Sequence, residues 1–343
     1  MNEIEKMINN EKLTKMFGCI STGKEANVYR AEGSMDLVNR EMYAAGEDGT
    51  IPVKEYAIKI FKTSILIFKD RERYVSGEFR FRNGHCKGNP RKMVKLWAEK
   101  EVRNLKRIGV TDGVIKVPYP YILKNNIIVM EFVGENGVAA PRLRDANLDD
   151  WNQSYLQTMM IVRRLYQRCK LVHADLSEYN LLYHREEVWV IDVSQSVEHD
   201  HPMALDFLRR DCAIVQEFFQ KKLERVLTTQ DTFSFVTDLT IDDEHEEAVF
   251  ATFVQALYAK TNEELLDEKQ QDEVFKQIYI PRTLQELSLD DIDKLKRNNQ
   301  EAMFNKLVGV NHNTDNPDDV EEAEEDKEEE SQEPALEEEK KEG

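Results

Sequence analysis

Four polar residues between positions 173 and 192 have the types and spacing that metal-assisted phosphoryl transfer needs. They are His173, Asp175, Asn180 and Asp192. Mg²⁺ prefers a few carboxylate or amide oxygens together with phosphate and water, so Asn180 and Asp192 are candidate metal ligands. Asp175 is placed to accept a proton from an attacking hydroxyl or water. The alternative is a polar loop whose acids are simply solvated.

The sequence around these residues predicts how they could meet. Residues 181–183 and 188–191 are two β-rich apolar runs, and the polar residues 184–187 between them predict a hairpin. A hairpin brings its two open ends together. The loop that carries Asp175 and Asn180 is therefore expected beside the strand end that carries Asp192.

A lysine on a predicted strand is the next candidate. In residues 56–60, alternation places Ala57 and Lys59 on one face and Ile58 and Ile60 on the other. A lysine on the ligand face of a strand that follows a glycine-containing turn is suited to holding α- and β-phosphates. A solvated strand face is the alternative, because lysine side chains are mostly exposed.

A helix predicted over residues 91–108 carries Glu101 within its apolar stripe. That stripe consists of Val94, Trp97, Ala98, Leu105 and Ile108. A buried carboxylate needs a cation, and Lys59 is the expected partner. A surface pair with Lys100 or Lys106 on the same helix is the alternative.

Two further stretches are candidates for binding a nucleotide. The turn Ser21-Thr22-Gly23-Lys24, predicted between two strands, has backbone N–H groups and a lysine that could cover phosphates. A plain β-turn is the alternative. The apolar strand that ends at Gly134 is typical of a connector between two lobes. There the backbone groups of Glu131 and Val133 could bind adenine, and Met130 could line its pocket; a core strand without a function is the alternative.

Composition restricts the class of protein. The 343 residues are 41% hydrophobic, which is enough for a real core, and they contain neither a run of 18 apolar residues nor an N-terminal signal pattern. We therefore expect an intracellular protein without a membrane partner. The four cysteines are far apart and form no C-x-x-C pair, which argues against a zinc ribbon or a disulfide framework.

Charge is distributed unevenly along the chain. Residues 311–343 contain 16 acidic residues and 3 lysines with almost no apolar residues, so this tail is predicted to be disordered. Residues 59–107, by contrast, contain 15 Lys or Arg against 5 acids. Tyr74, Phe79 and Phe81 lie among these cations, a mixture suited to phosphate contact and base stacking on RNA. The alternative for this basic block is a set of solvated arginines that balance the acidic remainder.

Several long motifs, taken together, resemble the Rio family of atypical protein kinases, and specifically its type-one branch. They are STGKEANVYRA, YAIKIFKTSILIFKDRERYVSGEFRFR, GNPRKMVKLWAEKEVRNLKR, LVHADLSEYNLLYH and VWVIDVSQSVEHDHPMALDFLRRDC. The resemblance covers roughly residues 17–284. It implies an α+β fold of the two-lobed protein-kinase-like kind, trimmed as in Rio kinases, with a β-rich N-lobe and a mainly helical C-lobe.

The resemblance also implies roles for matching residues. Ser21, Thr22, Gly23 and Lys24 would cover the phosphates, and Lys59 would bind phosphate while paired with Glu101. Met130, Glu131 and Val133 would frame the adenine. Asp175 would be the catalytic acid/base, and Asn180 and Asp192 the metal ligands. The cofactors would be ATP and Mg²⁺, with Mn²⁺ as an alternative metal.

The implied biological role is late maturation of the small ribosomal subunit. The partners would be its precursor particle and rRNA, bound through the basic block, together with ribosome assembly factors; the location would be cytoplasmic, with nuclear shuttling left open.

Asp192 is followed by Val193-Ser194 rather than Phe-Gly, and no Ala-Pro-Glu segment precedes the next helix. The resemblance implies an ATPase cycle through phospho-Asp192, and the missing platform for a peptide substrate favours that cycle. A conventional protein-serine kinase, an inactive RNA-binding scaffold and a small-molecule phosphotransferase are the alternatives.

The predicted domain organisation follows from these observations. It comprises an N-terminal helix at 1–16, an N-lobe at 17–134 with a mobile insertion at 32–55, a C-lobe at 135–284, a helical extension at 285–310 and the disordered acidic tail at 311–343.

Overall fold

The structure is a computed structural model that describes residues 2–10, 12–38, 41–42, 53–63, 74 and 89–277, all within one compact unit. The predicted extension 285–310 and tail 311–343 lie outside the described residues. The elements of the N-terminal half are α1 (Asn2–Asn9), β1 (Lys15–Thr22), β2 (Ala26–Gly33), β3 (Met35–Asp36), β4 (Glu41–Met42), β5 (Lys54–Phe61), α2 (Pro90–Thr111), β6 (Pro120–Lys124) and β7 (Ile127–Glu131).

A five-stranded antiparallel sheet forms the N-lobe, in the spatial order β1-β2-β5-β7-β6. Lys59 lies in β5, paired with Val28 on one side and Ile128 on the other. Alternation along β5 works as the sequence predicts. Ile58 is fully buried in the hydrophobic core, whereas Ala57 and Lys59 face a cleft below the sheet. The sheet thus presents one face to a core and one face to a candidate ligand.

The N-terminal helix is shorter than predicted. The sequence predicts a helix over residues 1–16, but α1 ends at Asn9 and β1 begins at Lys15. The reason is tertiary pairing, because the Thr14 N–H donates to the Glu32 carbonyl at 2.7 Å and draws the chain onto β2. Leu13 is still buried in the same hydrophobic core as α1. Its apolar side chain therefore indicated a buried position but not the secondary structure at that position.

The insertion predicted at 32–55 begins later than expected. Its first and last residues belong to the sheet, since Glu32 pairs with Glu55 and Gly33 pairs with Lys54. A Cβ atom at Gly33 would lie 2.8 Å from the Lys12 carbonyl oxygen, so glycine is needed for this close approach. Within the predicted insertion, β3 and β4 form a short antiparallel pair. Residues 39–40 and 43–52, to which the expected mobility also applies, are outside the described residues.

Helix α2 begins and ends with recognisable caps. The Asn89 side chain accepts hydrogen bonds from the N–H groups of Arg91 and Lys92, and Pro90 occupies the first turn. The side chain of Asp112, at the other end, accepts from the N–H groups that follow the helix. The predicted apolar stripe is buried along the whole helix, and Glu101 is 1% exposed within it.

The C-lobe is mainly helical. Its elements are β8 (Gly134–Glu135), β9 (Val138–Ala139), a 3-10 turn (Leu143–Asp145), α3 (Trp151–Gln167), β10 (Leu171–Val172), β11 (Leu181–His184), β12 (Glu187–Val190), β13 (Val197–Glu198), α4 (Ala204–Phe219), α5 (Thr229–Thr237), α6 (Glu246–Ala259) and α7 (Asn262–Gln277). The predicted fold class is confirmed. None of the helices in the described part of the chain is long and apolar enough to cross a membrane.

The predicted hairpin is formed by β11 and β12. Each strand is one residue longer at the turn than predicted, because His184 pairs with Glu187. The turn therefore has two residues, Arg185 and Glu186, which both adopt left-handed backbone conformations (φ 52° and 63°). A two-residue turn of this kind matches the twist of the two strands and fixes their register.

Candidate active site

A cleft of about 530 Å³ lies between the N-lobe sheet and the β11–β12 hairpin. We call its sheet side the roof and its C-lobe side the floor. It collects most of the predicted site residues, namely Ser21, Gly23, Lys24, Lys59, Glu101, Met130, Glu131, Val133, Asn180 and Asp192. Thr22 is not among the lining residues and is exposed at the end of β1. Asp175 does not line the cleft either, but it contacts Asn180 at its edge.

Lys59 connects two carboxylates at the inner end of the cleft. Its Nζ donates to Glu101 Oε1 at 2.7 Å and to Asp192 Oδ1 at 2.9 Å. Burial by itself would lower the pKa of Lys59, but the charges of Asp192 and Glu101 together raise that pKa above its usual range. The expected partner of Glu101 is therefore the observed one. Lys100, one of the alternative partners, donates instead to the Tyr74 carbonyl at 2.8 Å.

Asp192 is held as a carboxylate by its neighbours. Burial would raise the pKa of Asp192, but the charge and hydrogen bond of Lys59 outweigh burial and lower it. The Ser194 hydroxyl donates a further hydrogen bond to Asp192 Oδ1 at 3.1 Å. The backbone of Asp192 is left-handed, with φ 59°, which is unusual for a residue other than glycine. Such a conformation is maintained only where the surroundings impose it.

Helix α2 is fastened to the segment that follows Asp192. The Asn104 side-chain amide donates to the Val193 carbonyl at 2.9 Å, and Arg107 pairs with Glu198 at 3.0 Å. At the end of the helix, Asp112 accepts from Arg168, the residue after α3, at 3.1 Å. None of these contacts was predicted from the sequence. They fix the helix that carries Glu101 relative to the segment that carries Asp192.

The loop that carries Asp175 is held by a buried acid on helix α4. Asp211 accepts from the N–H of Ala174 at 2.7 Å and from the N–H of Leu176 at 3.0 Å. Arg210 donates to the Ala174 carbonyl at 2.5 Å. Ala174 itself is left-handed, with φ 68°, and fully buried. Asp211 was missed, although it lies in an apolar stripe just as Glu101 does.

His173 supports the same loop from inside. It is buried, its Nε2 lies 3.2 Å from the Ile191 carbonyl oxygen, and its Nδ1 accepts from the Asp175 N–H at 3.3 Å. Burial lowers the pKa of His173 to about 4, so the ring is neutral at physiological pH. A neutral ring whose proton is on Nε2 donates to the Ile191 carbonyl and accepts from the Asp175 N–H. It therefore bridges the two loops that carry Asp175 and Asp192. His173 is therefore a positioning residue.

Asp175 has the properties of a proton acceptor. Partial burial, followed by the negative charge of Asp192, raises the pKa of Asp175 to about 6. The side chain nevertheless still reaches solvent at the edge of the cleft. A carboxylate whose pKa lies close to the working pH is better suited to general-base catalysis than an ordinary aspartate.

The donor groups present fit a Mg²⁺ ion. The Asn180 side-chain nitrogen donates to the Asp175 carbonyl at 2.8 Å, which leaves its amide oxygen for the cleft. Asn180 and Asp192 both line the cleft, and an amide plus a carboxylate is the sparse oxygen set that Mg²⁺ uses when phosphates and water complete its shell. In the described part of the chain, no cluster of three or more His, Cys, Asp or Glu could hold a metal without such help.

The connector between the lobes uses some of its backbone groups internally. The Glu131 N–H donates to the Tyr119 carbonyl at 2.8 Å, and the Val133 carbonyl accepts from the Ala140 N–H at 2.9 Å. An adenine here would therefore have to use the carbonyl of Glu131 and the N–H of Val133. Met130, 7% exposed, lines the cleft beside them as predicted.

We call Ser21–Lys24 the phosphate loop. The Gly23 N–H donates to the Ala26 carbonyl at 2.8 Å, which closes a tight turn, and Lys62 Nζ donates to the Gly23 carbonyl at 2.6 Å. Lys24 is exposed at the tip of this turn and also lines the cleft. The turn thus places the long, flexible and positively charged side chain of Lys24 over the cleft.

The basic block is only partly described. Arg91, Lys92 and Lys95 are exposed at the start of α2, as nucleic-acid contact would require. Tyr74 contradicts the prediction, because it is 7% exposed and its ring stacks on Phe207 at 5.0 Å with an interplanar angle of 19°. This ring is buried in the protein and is not available for stacking on a base. Phe79 and Phe81 lie outside the described residues.

A strand lysine paired with a helix glutamate, above a loop with Asp and Asn and a second Asp, defines a protein-kinase-like domain. Comparison with known families agrees, since the RIO domain model matches residues 40–232. The chain belongs to the RIO family.

Similar proteins with known names refine this assignment. The chain is 46% identical to serine/threonine-protein kinase rio1 of Dictyostelium discoideum, over 91% of this chain and 52% of that protein. It is 49% identical to serine/threonine-protein kinase RIO1 of Homo sapiens, over 85% of this chain and 49% of that protein. The predicted type-one branch is thereby confirmed, and the chain spans about half the length of these relatives. A Rio2 kinase-ADP/Mg²⁺-phosphoaspartate complex from Chaetomium thermophilum is similar with 20% identity, a TM-score of 0.47, and coverage of 78% of this chain and 75% of that chain.

Proposed function

We propose that this chain is a Mg²⁺-ATP-dependent phosphotransferase of the RIO kind. The observation that carries the proposal is the Lys59 contact with Glu101 at 2.7 Å and Asp192 at 2.9 Å, inside a cleft that also presents Asn180. This is the arrangement in which a protein kinase holds ATP ready for transfer. The similar proteins from Dictyostelium discoideum and Homo sapiens are named serine/threonine-protein kinases, which supports the proposal.

The proposed roles follow from the positions of the groups. Lys59, held by Glu101, binds the phosphates, while the phosphate loop covers them from the roof. Asn180 and Asp192 hold Mg²⁺, or Mn²⁺ in its place. The ion supplies neutralisation of phosphate charge when it is bound. Asp175 takes the proton from the hydroxyl or water that attacks phosphorus.

We propose further that the phosphoryl group passes through Asp192 in an ATPase cycle. A carboxylate oxygen of Asp192 attacks the γ-phosphorus, the bond to the β-phosphate oxygen breaks, and ADP leaves with the electron pair. Water then attacks the phosphorus of phospho-Asp192, Asp175 takes its proton, and the Asp192 carboxylate is released with phosphate. The lowered pKa of Asp192 and its side chain, 36% exposed to the cleft, support a nucleophilic role.

A single-turnover experiment tests both proposals. The protein is mixed with γ-labelled ATP and Mg²⁺, and wild type is compared with Asp192→Asn and Asp175→Ala. Label that hydroxylamine removes, and that Asp192→Asn abolishes, is the result expected of a phospho-Asp192 intermediate. Hydroxylamine-stable label on serine or threonine would replace the ATPase cycle with a conventional protein kinase. Absence of label and turnover would leave a scaffold. Transfer to a small alcohol without label on the protein would indicate a small-molecule phosphotransferase.

We also propose that the basic block binds the rRNA of the small-subunit precursor, in the cytoplasm and together with assembly factors. The exposed cations Arg91, Lys92 and Lys95 support this, because phosphate contacts dominate affinity for RNA. Replacing all three by glutamine should weaken binding to a small-subunit rRNA fragment and flatten the dependence of affinity on salt. An unchanged salt dependence would remove these three residues from the RNA contact.

A further inference from the structure

One side-chain hydrogen bond crosses the cleft away from the catalytic groups. Arg142 Nη2, on the floor, donates to Ser21 Oγ, on the roof, at 2.8 Å. Both residues line the cleft and both are half-buried, whereas the inner contact of Lys59 with Glu101 is buried. The Arg142 to Ser21 bond therefore lies nearer the solvent than the Lys59 to Glu101 contact does. We call it the clasp.

The floor end of the clasp is held rigidly. The Arg142 carbonyl accepts from the N–H groups of Asp145 and Ala146, each at 2.9 Å. The preceding Pro141 carbonyl accepts from the Tyr183 N–H at 2.9 Å, and Arg142 forms a bridge with Leu182 of β11. The backbone of Arg142 is thus tied to the hairpin that follows Asn180. It cannot shift without disturbing that hairpin.

The roof end is held more weakly. Ser21 lies near the end of β1, which is the edge strand of the sheet and pairs only with β2 among the described strands. The pairing of β1 with β2 is irregular between Cys19 and Ser21, and the residues that follow, Thr22 to Lys24, are exposed. Edge strands with irregular pairing and exposed turns are the parts of a sheet that open most easily. If the two ends separate, the roof end is the one that moves.

We propose that the clasp is a gate for the nucleotide, which must break each time a nucleotide leaves the cleft and which sets how long it stays. The proposal rests on the proposed function in so far as that assigns ATP to this cleft. The guanidinium is permanently charged and its bond to a hydroxyl is charge-assisted, which makes it stronger than a bond between neutral groups. Arg142 is accordingly a positioning residue for the phosphate loop.

Release of a fluorescent ADP analogue measures the clasp directly. The analogue is bound with Mg²⁺ and then displaced by excess ADP in a stopped-flow instrument, for wild type, Arg142→Ala, Ser21→Ala and the double variant. We expect each single variant to release the analogue about tenfold faster, which corresponds to about 1.4 kcal/mol. The double variant should be no faster than either single one, because both changes remove the same bond.

Arg144→Ala is the matched control. Arg144 lies two residues away and is exposed, and its described contacts, with Tyr179 and Asp145, stay on the floor. Its removal takes away the same charge without touching the roof, so release should stay close to the wild-type rate. Equal acceleration by Arg144→Ala would mean that charge near the cleft, rather than the clasp, retains the nucleotide, and would overturn the proposal.

Other outcomes are equally decisive. An unchanged release rate in Arg142→Ala, or rates that multiply in the double variant, would also overturn it. If Arg142→Ala does not fold, Ser21→Ala carries the test, since it removes one hydroxyl from an edge strand. Wild type that binds the analogue but transfers no phosphate would refute the proposed function and leave the clasp standing. If wild type transfers phosphate but all variants release the analogue at the same rate, the proposed function stands and the clasp proposal is refuted.

Discussion

Helix α2 and the phosphate loop both belong to the N-terminal half of the chain, yet they are attached to the C-lobe in different ways. Helix α2 is joined to it by Asn104, Arg107 and the capping residue Asp112. The phosphate loop region meets the floor through the Arg142 to Ser21 hydrogen bond at the cleft rim.

This difference separates two tasks that the cleft must perform. The Lys59, Glu101 and Asp192 cluster needs a fixed geometry, because an error of an ångström in the position of a reacting group is costly. The roof above the nucleotide has to move if ligands are to come and go. The first task has several contacts, among them the buried ones of Lys59 and Asn104, whereas the second has the half-buried contact between Arg142 and Ser21.

Replacing Asp175 tests the fixed end of the cleft and should have the largest effect. Asp175→Asn removes the proton acceptor while keeping its size, so the hydrolysis of phospho-Asp192, followed as phosphate release in a single turnover, should slow by about 10³-fold. Release of the ADP analogue should not change, because Asp175 does not touch the roof. Parallel loss of both properties would show that the two ends of the cleft are not separable.

Replacing Asn104 tests how α2 is attached. Asn104→Ala removes the buried side-chain donor to the carbonyls of Val193 and Ser196, which should cost about 1–3 kcal/mol in the free energy of unfolding. Lys95→Ala is the matched control on the same helix, since its ion pair with Glu99 at 3.7 Å is exposed and contributes at most about 0.5 kcal/mol. Urea denaturation followed by circular dichroism measures both. Equal losses would mean that helix content, not attachment, is being measured.

The buried acid below the catalytic loop should make stability depend on pH. Burial raises the pKa of Asp211 to about 7, and its hydrogen bonds from Leu176 and Ala174 lower it only in part. Because the folded chain binds this proton more tightly than the unfolded chain does, the contribution is complete below pH 3.8 and is lost as the pH rises through 7. Asp211→Asn should remove this dependence, so the stability of wild type relative to the variant should fall as the pH rises from about 4 to about 7 and should level off above that. A constant difference would contradict the raised pKa.

The smallest effect is expected at an exposed contact of the phosphate loop. Lys62 Nζ donates to the Gly23 carbonyl at 2.6 Å, but the contact is exposed to water. Lys62→Ala should therefore accelerate release of the ADP analogue by less than about threefold, well below the effect of Arg142→Ala. A larger effect would mean that the turn, and not the clasp, controls the rate of nucleotide release.

The sequence was sufficient where a residue's role is visible in its local pattern. Lys59 follows from strand alternation, Glu101 from a charge inside an apolar helical stripe, and Asp192 from the hairpin that returns it to Asn180. Asp211 could have been found by the argument used for Glu101, since it lies four residues before Val215 on the buried side of α4.

Other features could not be predicted from local pattern. Arg142 meets Ser21 across 121 positions of sequence, and nothing in the neighbouring residues of either indicates that contact. Helix α1 was predicted too long because an apolar residue such as Met16 suits a helix and a strand equally well. Pairing with β2 fixed this segment as a strand. Tyr74 was likewise predicted to stack on RNA, but its ring stacks on Phe207. These outcomes depend on tertiary contacts that override local preference.

The left-handed backbone at Ala174 means that conformational strain is built into the floor. A left-handed residue with a Cβ atom costs about 1–2 kcal/mol relative to its preferred conformation, and the bonds from Ala174 to Asp211 and Arg210 hold it there. Ala174→Gly should relieve that strain and raise the melting temperature slightly, provided that the gain exceeds the entropy lost by the freer glycine. The relaxed loop should then hold Asp175 less firmly. Thermal stability and the rate of phosphoryl transfer would thus move in opposite directions in one variant.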